Sequence, residues 1–108
     1  MASAQVQPGE LNLALYKGDS FYLPMSFDGV EMAGTWRAQM RLRAASADEV
    51  IATFTVVVAG STVTISLPAA TTAGLTSTAV WDLEQTAPDG TVRTWLRGSV
   101  TINWDVTR

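Results

Sequence analysis

The segment Thr78-Ala-Val-Trp-Asp-Leu-Glu-Gln-Thr-Ala-Pro-Asp-Gly-Thr-Val-Arg-Thr-Trp-Leu-Arg-Gly-Ser-Val-Thr-Ile-Asn-Trp-Asp-Val106 decides the fold. Two runs of alternating residues flank Pro88-Asp89-Gly90. Proline presets one backbone angle of a turn, and Gly90 accepts the positive φ that tight hairpin turns require. The segment therefore predicts an antiparallel β-hairpin with a long second strand. In the first strand Ala79, Trp81 and Leu83 alternate with Val80, Asp82 and Glu84. In the second, alternation puts Val92, Leu96, Val100, Ile102, Trp104 and Val106 on the core face. The opposite face then carries Arg93, Trp95, Arg97, Ser99, Thr101, Asn103 and Asp105.

Upstream of the hairpin the same period of two recurs. Leu11, Leu13 and Leu15 alternate with Asn12, Ala14 and Tyr16, and Lys17-Gly-Asp-Ser20 turns the chain. Phe21, Leu23, Met25 and Phe27 then alternate with Tyr22, Pro24 and Ser26. Pro24 lacks a ladder donor, which confines this strand to an edge or a bulge. After a loop from Asp28 to Gly34, Trp36, Ala38, Met40, Leu42 and Ala44 share one face, while Arg37, Gln39, Arg41 and Arg43 share the other. Ser46 to Glu49 is a short connection, followed by a β-branched run from Val50 to Val58. Ala59-Gly60 turns that run into Ser61 to Leu67. Pro68 to Leu75 is the one helical-looking piece, a turn or two long. Residues 1–10, polar and broken by Pro8-Gly9, read as an extended N-terminal arm ahead of a domain spanning residues 11–108. The expected fold is all-β: an immunoglobulin-like antiparallel β-sandwich of about seven strands with one short helical turn.

A chain of 108 residues fits one domain. At this size roughly two-thirds of the unfolded surface is buried, so a hydrophobic core suffices without staples. Hydrophobic residues make up 47% and charged residues 16%, which excludes a disordered tail. Cysteine is absent, excluding disulfides, thiolate chemistry and cysteine-bound metals. Histidine is also absent, so a Ser-His-Asp or Cys-His nucleophile system and imidazole metal ligation are excluded. With seven Lys and Arg and a net charge of −3, no nucleic-acid partner is expected. Residues 1–10 have neither the basic nor the apolar region of a signal peptide. The longest apolar run, Val56 to Ala59, is too short to span a bilayer, and no membrane partner is expected.

The charges gain a pattern once placed on this frame. In an immunoglobulin-like arrangement the third, sixth and seventh strands form one sheet with the sixth in the middle. Its outer face would show arginines, then Asp82 and Glu84, then arginines again. Opposite charges across an antiparallel ladder contribute roughly 0.2–1 kcal/mol each, so a solvated face of cross-strand pairs is one reading. The other is a docking surface, because tryptophan and arginine dominate interface hot spots. The candidate interface is Trp95, Arg93, Arg97, Arg37, Arg41, Arg43, Asp82 and Glu84. Gly98, in mid-strand, marks a bulge or bend. Asp82 and Glu84, two apart on one face, resemble a carboxylate pair, but flanking arginines should lower their pKa values, the wrong direction for a general acid. Asp28-Gly-Val-Glu31 lacks the oxygen ligands of a calcium loop, and Gly18, Gly29 and Gly34 are too scattered for a phosphate cradle. No catalytic, cofactor or metal site is expected.

The order of signals carries a resemblance. Lys17 to Phe21 opens a strand, Trp36 to Arg43 alternates arginines, and Thr72-Ala-Gly-Leu75 precedes Val80-Trp-Asp-Leu83. Asp89-Gly90, Arg97-Gly98 and a closing Asp105-Val-Thr-Arg108 follow. Over residues 11–108 the chain resembles the small immunoglobulin-like β-sandwich proteins of tailed bacteriophages, similar to the N-terminal domain of baseplate upper proteins. It carries Trp81 where the family hairpin usually has tyrosine, and no fibre or coiled-coil segment is expected after Arg108. The resemblance implies a virion structural protein made in the host cytoplasm, a minor tail or baseplate component present in multiple copies. Such a module would dock on other virion proteins through strand edges, the charged face around Trp95 and the arm. Two alternatives stand beside it. One is a capsid decoration protein. The other is a carbohydrate-binding module for host-surface adhesion, with Trp95, Tyr16 and Tyr22 stacking on sugar rings.

Overall fold

A computed structural model describes residues 9–41, 50–75 and 78–103. Among these residues nine strands follow in this order: β1 (Gly9–Glu10), β2 (Leu13–Tyr16), β3 (Phe21–Ser26), β4 (Thr35–Arg41), β5 (Val50–Thr53), β6 (Thr55–Ala59), β7 (Thr62–Leu67), β8 (Ala79–Thr86) and β9 (Val92–Asn103). A five-residue helix, α1 (Ala69–Ala73), lies between β7 and β8. The larger sheet runs β1-β9-β8-β4-β5, with β2 also on β9, and the smaller runs β3-β7-β6. This is the expected all-β sandwich, with β8 between β4 and β9 as the immunoglobulin-like arrangement requires. The two inner faces meet over Leu15, Met40, Val63, Ile65, Leu67, Leu83 and Val100.

The hairpin forms where the turn residues place it. The Gly90 N–H donates to the Ala87 carbonyl at 2.9 Å, and Gly90 holds a φ of 93°. The Asp89 carboxylate accepts the Thr91 N–H at 2.9 Å, an Asx contact that fixes the turn. Pro24 lies on β3, an edge strand, as its missing donor requires.

Three features depart from the sequence reading. The run from Val50 to Val58 is two strands rather than one. β5 pairs with β4 in the larger sheet, whereas β6 pairs with β7 in the smaller. The crossing residue is Phe54, buried with its ring 6.0 Å from Phe21 and 5.8 Å from Trp81. Its N–H donates to the Ala38 carbonyl at 2.9 Å, so the corner leaves no backbone donor stranded. Second, not every pairing is antiparallel: β2 runs parallel to β9, from Leu13 opposite Val100 to Tyr16 opposite Asn103. Third, the last residues of the expected arm, Gly9 and Glu10, pair with Leu96 and Arg97.

Gly98 explains how the first strand reaches its place. A side chain there would put Cβ 2.1 Å from the Leu11 carbonyl oxygen, so only glycine admits the crossing chain. The Trp81 indole N–H donates to that same carbonyl at 2.8 Å, and the Ser99 N–H donates to the Asn12 side chain at 3.0 Å. At the other end of the first strand, buried Thr72 of α1 ties down the Lys17–Ser20 turn. Its hydroxyl donates to the Asp19 carbonyl at 2.7 Å and accepts the Gly18 N–H at 3.1 Å.

Candidate functional site

The outer face of the larger sheet is set by strand register. Trp36, Ala38 and Met40 point into the core, which turns Arg37, Gln39 and Arg41 outward. On β8, Trp81 and Leu83 point inward and turn Asp82 and Glu84 outward. Cross-strand pairing then lays out rows. Gln39, Asp82, Arg97 and Glu10 form one row across four strands, and Arg37, Glu84 and Thr94 form the next. Arg37 reaches Glu84 at 3.2 Å, an exposed ion pair, and Arg41 donates to the Gln39 side-chain oxygen at 3.2 Å.

Five of the candidate interface residues, Arg37, Arg41, Asp82, Glu84 and Arg97, thus share this face. The electrostatics of Asp82 run against expectation. Burial among its neighbours pushes its carboxyl above the ordinary aspartate value, and the Glu84 charge adds to the rise. Arg41 and Arg37 oppose the shift without cancelling it, because each extends to another residue. The arginines pull it down, but burial and Glu84 outweigh them.

Arg93 and Trp95 do not belong to this face. Leu83 pairs with Leu96 but Glu84 pairs with Thr94, so Trp95 is the extra residue of a β-bulge. The inserted residue resets the alternation, and β9 before the bulge presents the opposite parity. Trp95 turns inward and stacks on Trp36, with centroids 6.3 Å apart and planes at 19°, and meets Phe27 edge-on at 5.8 Å. Its indole N–H donates to the Gln85 side-chain oxygen at 2.9 Å. Arg93, across from Gln85, lays its guanidinium 3.9 Å from the Trp95 ring centroid, a cation–π contact. Arg43 lies outside the described residues.

These displaced residues help to line a cleft of about 370 Å³ at the hairpin end of the sandwich. Its walls are the β3–β4 loop, with Glu31, and the hairpin turn, with Pro88 and Asp89. Gln85 anchors the loop: its amide donates to the Glu31 carbonyl at 2.7 Å and the Ala33 carbonyl at 2.8 Å. The Trp36 indole adds a bond to the Met32 carbonyl at 3.0 Å. Sequence reasoning missed Gln85, although a signal was present, since it shares the core parity of Trp81 and Leu83. The three aromatics considered for sugar stacking do not line up. Tyr16 lies on β2 of the larger sheet, Tyr22 on β3 of the smaller, and Trp95 in the aromatic stack.

With the geometry in place, the comparison that decides the family is a match to the LtfC-like, beta-sandwich domain over residues 7–103. The chain belongs to the LtfC-like family. The match includes every described strand, and therefore both the charged face and the cleft. Comparison with curated proteins finds no match. An LtfC-like domain thus presents two distinct surfaces here. One is an open face of alternating charge, and the other is a cleft floored by a capped tryptophan.

Proposed function

We propose that this LtfC-like domain is a docking module of a phage virion, a minor tail or baseplate component that binds other virion proteins. The observation that carries the proposal is the fixed two-sign pattern across β4, β8 and β9, joined to the resemblance to phage sandwich proteins. Such a pattern selects a partner of complementary charge and fixes its register. Asp82 stands on this open face and not among the cleft residues, so it has no enclosed substrate to protonate, and we read the domain as non-enzymatic.

Mass spectrometry of purified virions should detect the chain, and its absence sinks the proposal. Copy number separates the two virion locations: a few or a few tens per particle for a tail or baseplate, hundreds for capsid decoration. In a binding assay with the virion partner, Arg97→Glu should weaken association and steepen with falling salt, since rim charges act through screened electrostatics. Equal binding by Arg97→Glu and the unmodified protein would assign the contact elsewhere.

A further inference from the structure

We propose that the free edge of β6 is a self-docking surface, on which two copies of this chain pair β6 to β6 antiparallel about a two-fold axis at Val57. The two three-stranded sheets would then become one sheet of six strands. Among the described residues β6 is the last strand in the order β3-β7-β6, so β7 covers one side and no described strand pairs with the other. Thr55, Val57, Val58 and Ala59 are all exposed, Val57 by 56% and Val58 by 39%. An open edge offers a row of unpaired N–H and C=O groups, and proteins that remain single protect such edges with lysine, proline, a bulge or a covering loop. β3, the opposite edge of the same sheet, has Pro24. Thr55-Val-Val-Val-Ala59 has neither a charge nor a proline, and its pairing to β7 is regular throughout.

Charge selects the occupant. None of the residues in β3, β6 or β7 is charged, although the chain carries a net charge of −3. Two like-charged copies repel wherever charged faces meet, but this sheet lets them approach without burying an ion. A charged partner strand would find nothing here to pair with.

Side-chain parity agrees with self-pairing. With Val57 opposite Val57, Thr55 faces Ala59 on the outer surface and Val56 faces Val58 on the inner one. No residue changes face, which is the condition for a stable register. The contact is isologous and closes on itself. It consumes both open β6 edges and leaves β3 with Pro24 at each end, so assembly stops at two. The proposal stands independently of the virion reading.

Sedimentation equilibrium of the full chain tests it, with Val57→Lys and Val57→Glu as variants. Val57 points to solvent, so neither change disturbs the core, and circular dichroism with tryptophan fluorescence confirms the fold of each. The unmodified chain should dimerise with rising concentration. Each variant alone should dimerise at least about tenfold more weakly, because like charges then face each other across the axis. Mixing the two variants should restore the dimer. A chain that stays monomeric to roughly millimolar concentration overturns the proposal. So does a dimer indifferent to both substitutions, or a mixture that does not recover.

Discussion

Gln85 occupies a core-parity position on β8, in line with Trp81 and Leu83, and its side chain satisfies three groups at once. Gln85→Ala would strand two loop carbonyls and the Trp95 indole, so it should cost about 2–4 kcal/mol in denaturant unfolding. Glu84→Ala, one position away, removes only an exposed ion pair and should cost less than about 1 kcal/mol. Asp82 gives a prediction of opposite sign. Its folded pKa is raised, so the native state binds its proton more readily than the unfolded chain does. The charged form is therefore a penalty, present at neutral pH and relieved as pH falls through the raised value toward the ordinary one. Asp82→Asn should raise the melting temperature at pH 7, and the gain should shrink as pH approaches the ordinary carboxylate range. A gain that grows on acidification would contradict this assignment. Trp95 marks the limit of counting along a strand. Two bulky apolar neighbours, Trp95 and Leu96, break a strict alternation and were a legible hint of the bulge. Its position, opposite the Leu83–Glu84 step, depends on a strand elsewhere in the chain.

At the scale of elements, the hairpin and the inward faces of β4, β7 and β8 follow from local chemistry and could be read directly. The division of the Val50–Val58 run could not. Nothing in a β-branched stretch says which sheet its second half will join, and the crossing occurs where Phe54 packs between Phe21 and Trp81. The first strand is a similar case. Its alternation was visible, but its parallel seat on β9 depends on a missing side chain at Gly98, far along the sequence. Gly98→Ala should therefore cost about 1–3 kcal/mol or more, as overpacking does. Hydrogen exchange should show the loss concentrated in Leu13 to Tyr16, which the collision would push off β9. Uniform loss of protection over all strands would argue against a local clash.

At the scale of the whole molecule, the two sheets share one core, and aromatic side chains cross it in two clusters, Phe21–Phe54–Trp81 and Phe27–Trp36–Trp95. Unfolding should then be a single transition, with tryptophan fluorescence and circular dichroism coinciding in denaturant. Separated transitions would mean that the sheets melt independently. The surfaces divide as the core does not: among the described residues charge lies on the outer face of the larger sheet, at Arg93 beside the cleft and in the turns, and the strands of the smaller sheet are neutral. The sequence by itself determined the all-β class, the hairpin, the inward residues of each regular strand and the exclusion of histidine and cysteine chemistry. Those properties depend on residue type and on a period of two, both local. Only the tertiary structure decided which sheet each strand joins, the parallel seat of β2, and the split of one expected face into a charged surface and a cleft. Sheet membership and register are settled by packing between residues distant in the chain, and one inserted residue is enough to turn a side chain from solvent to core.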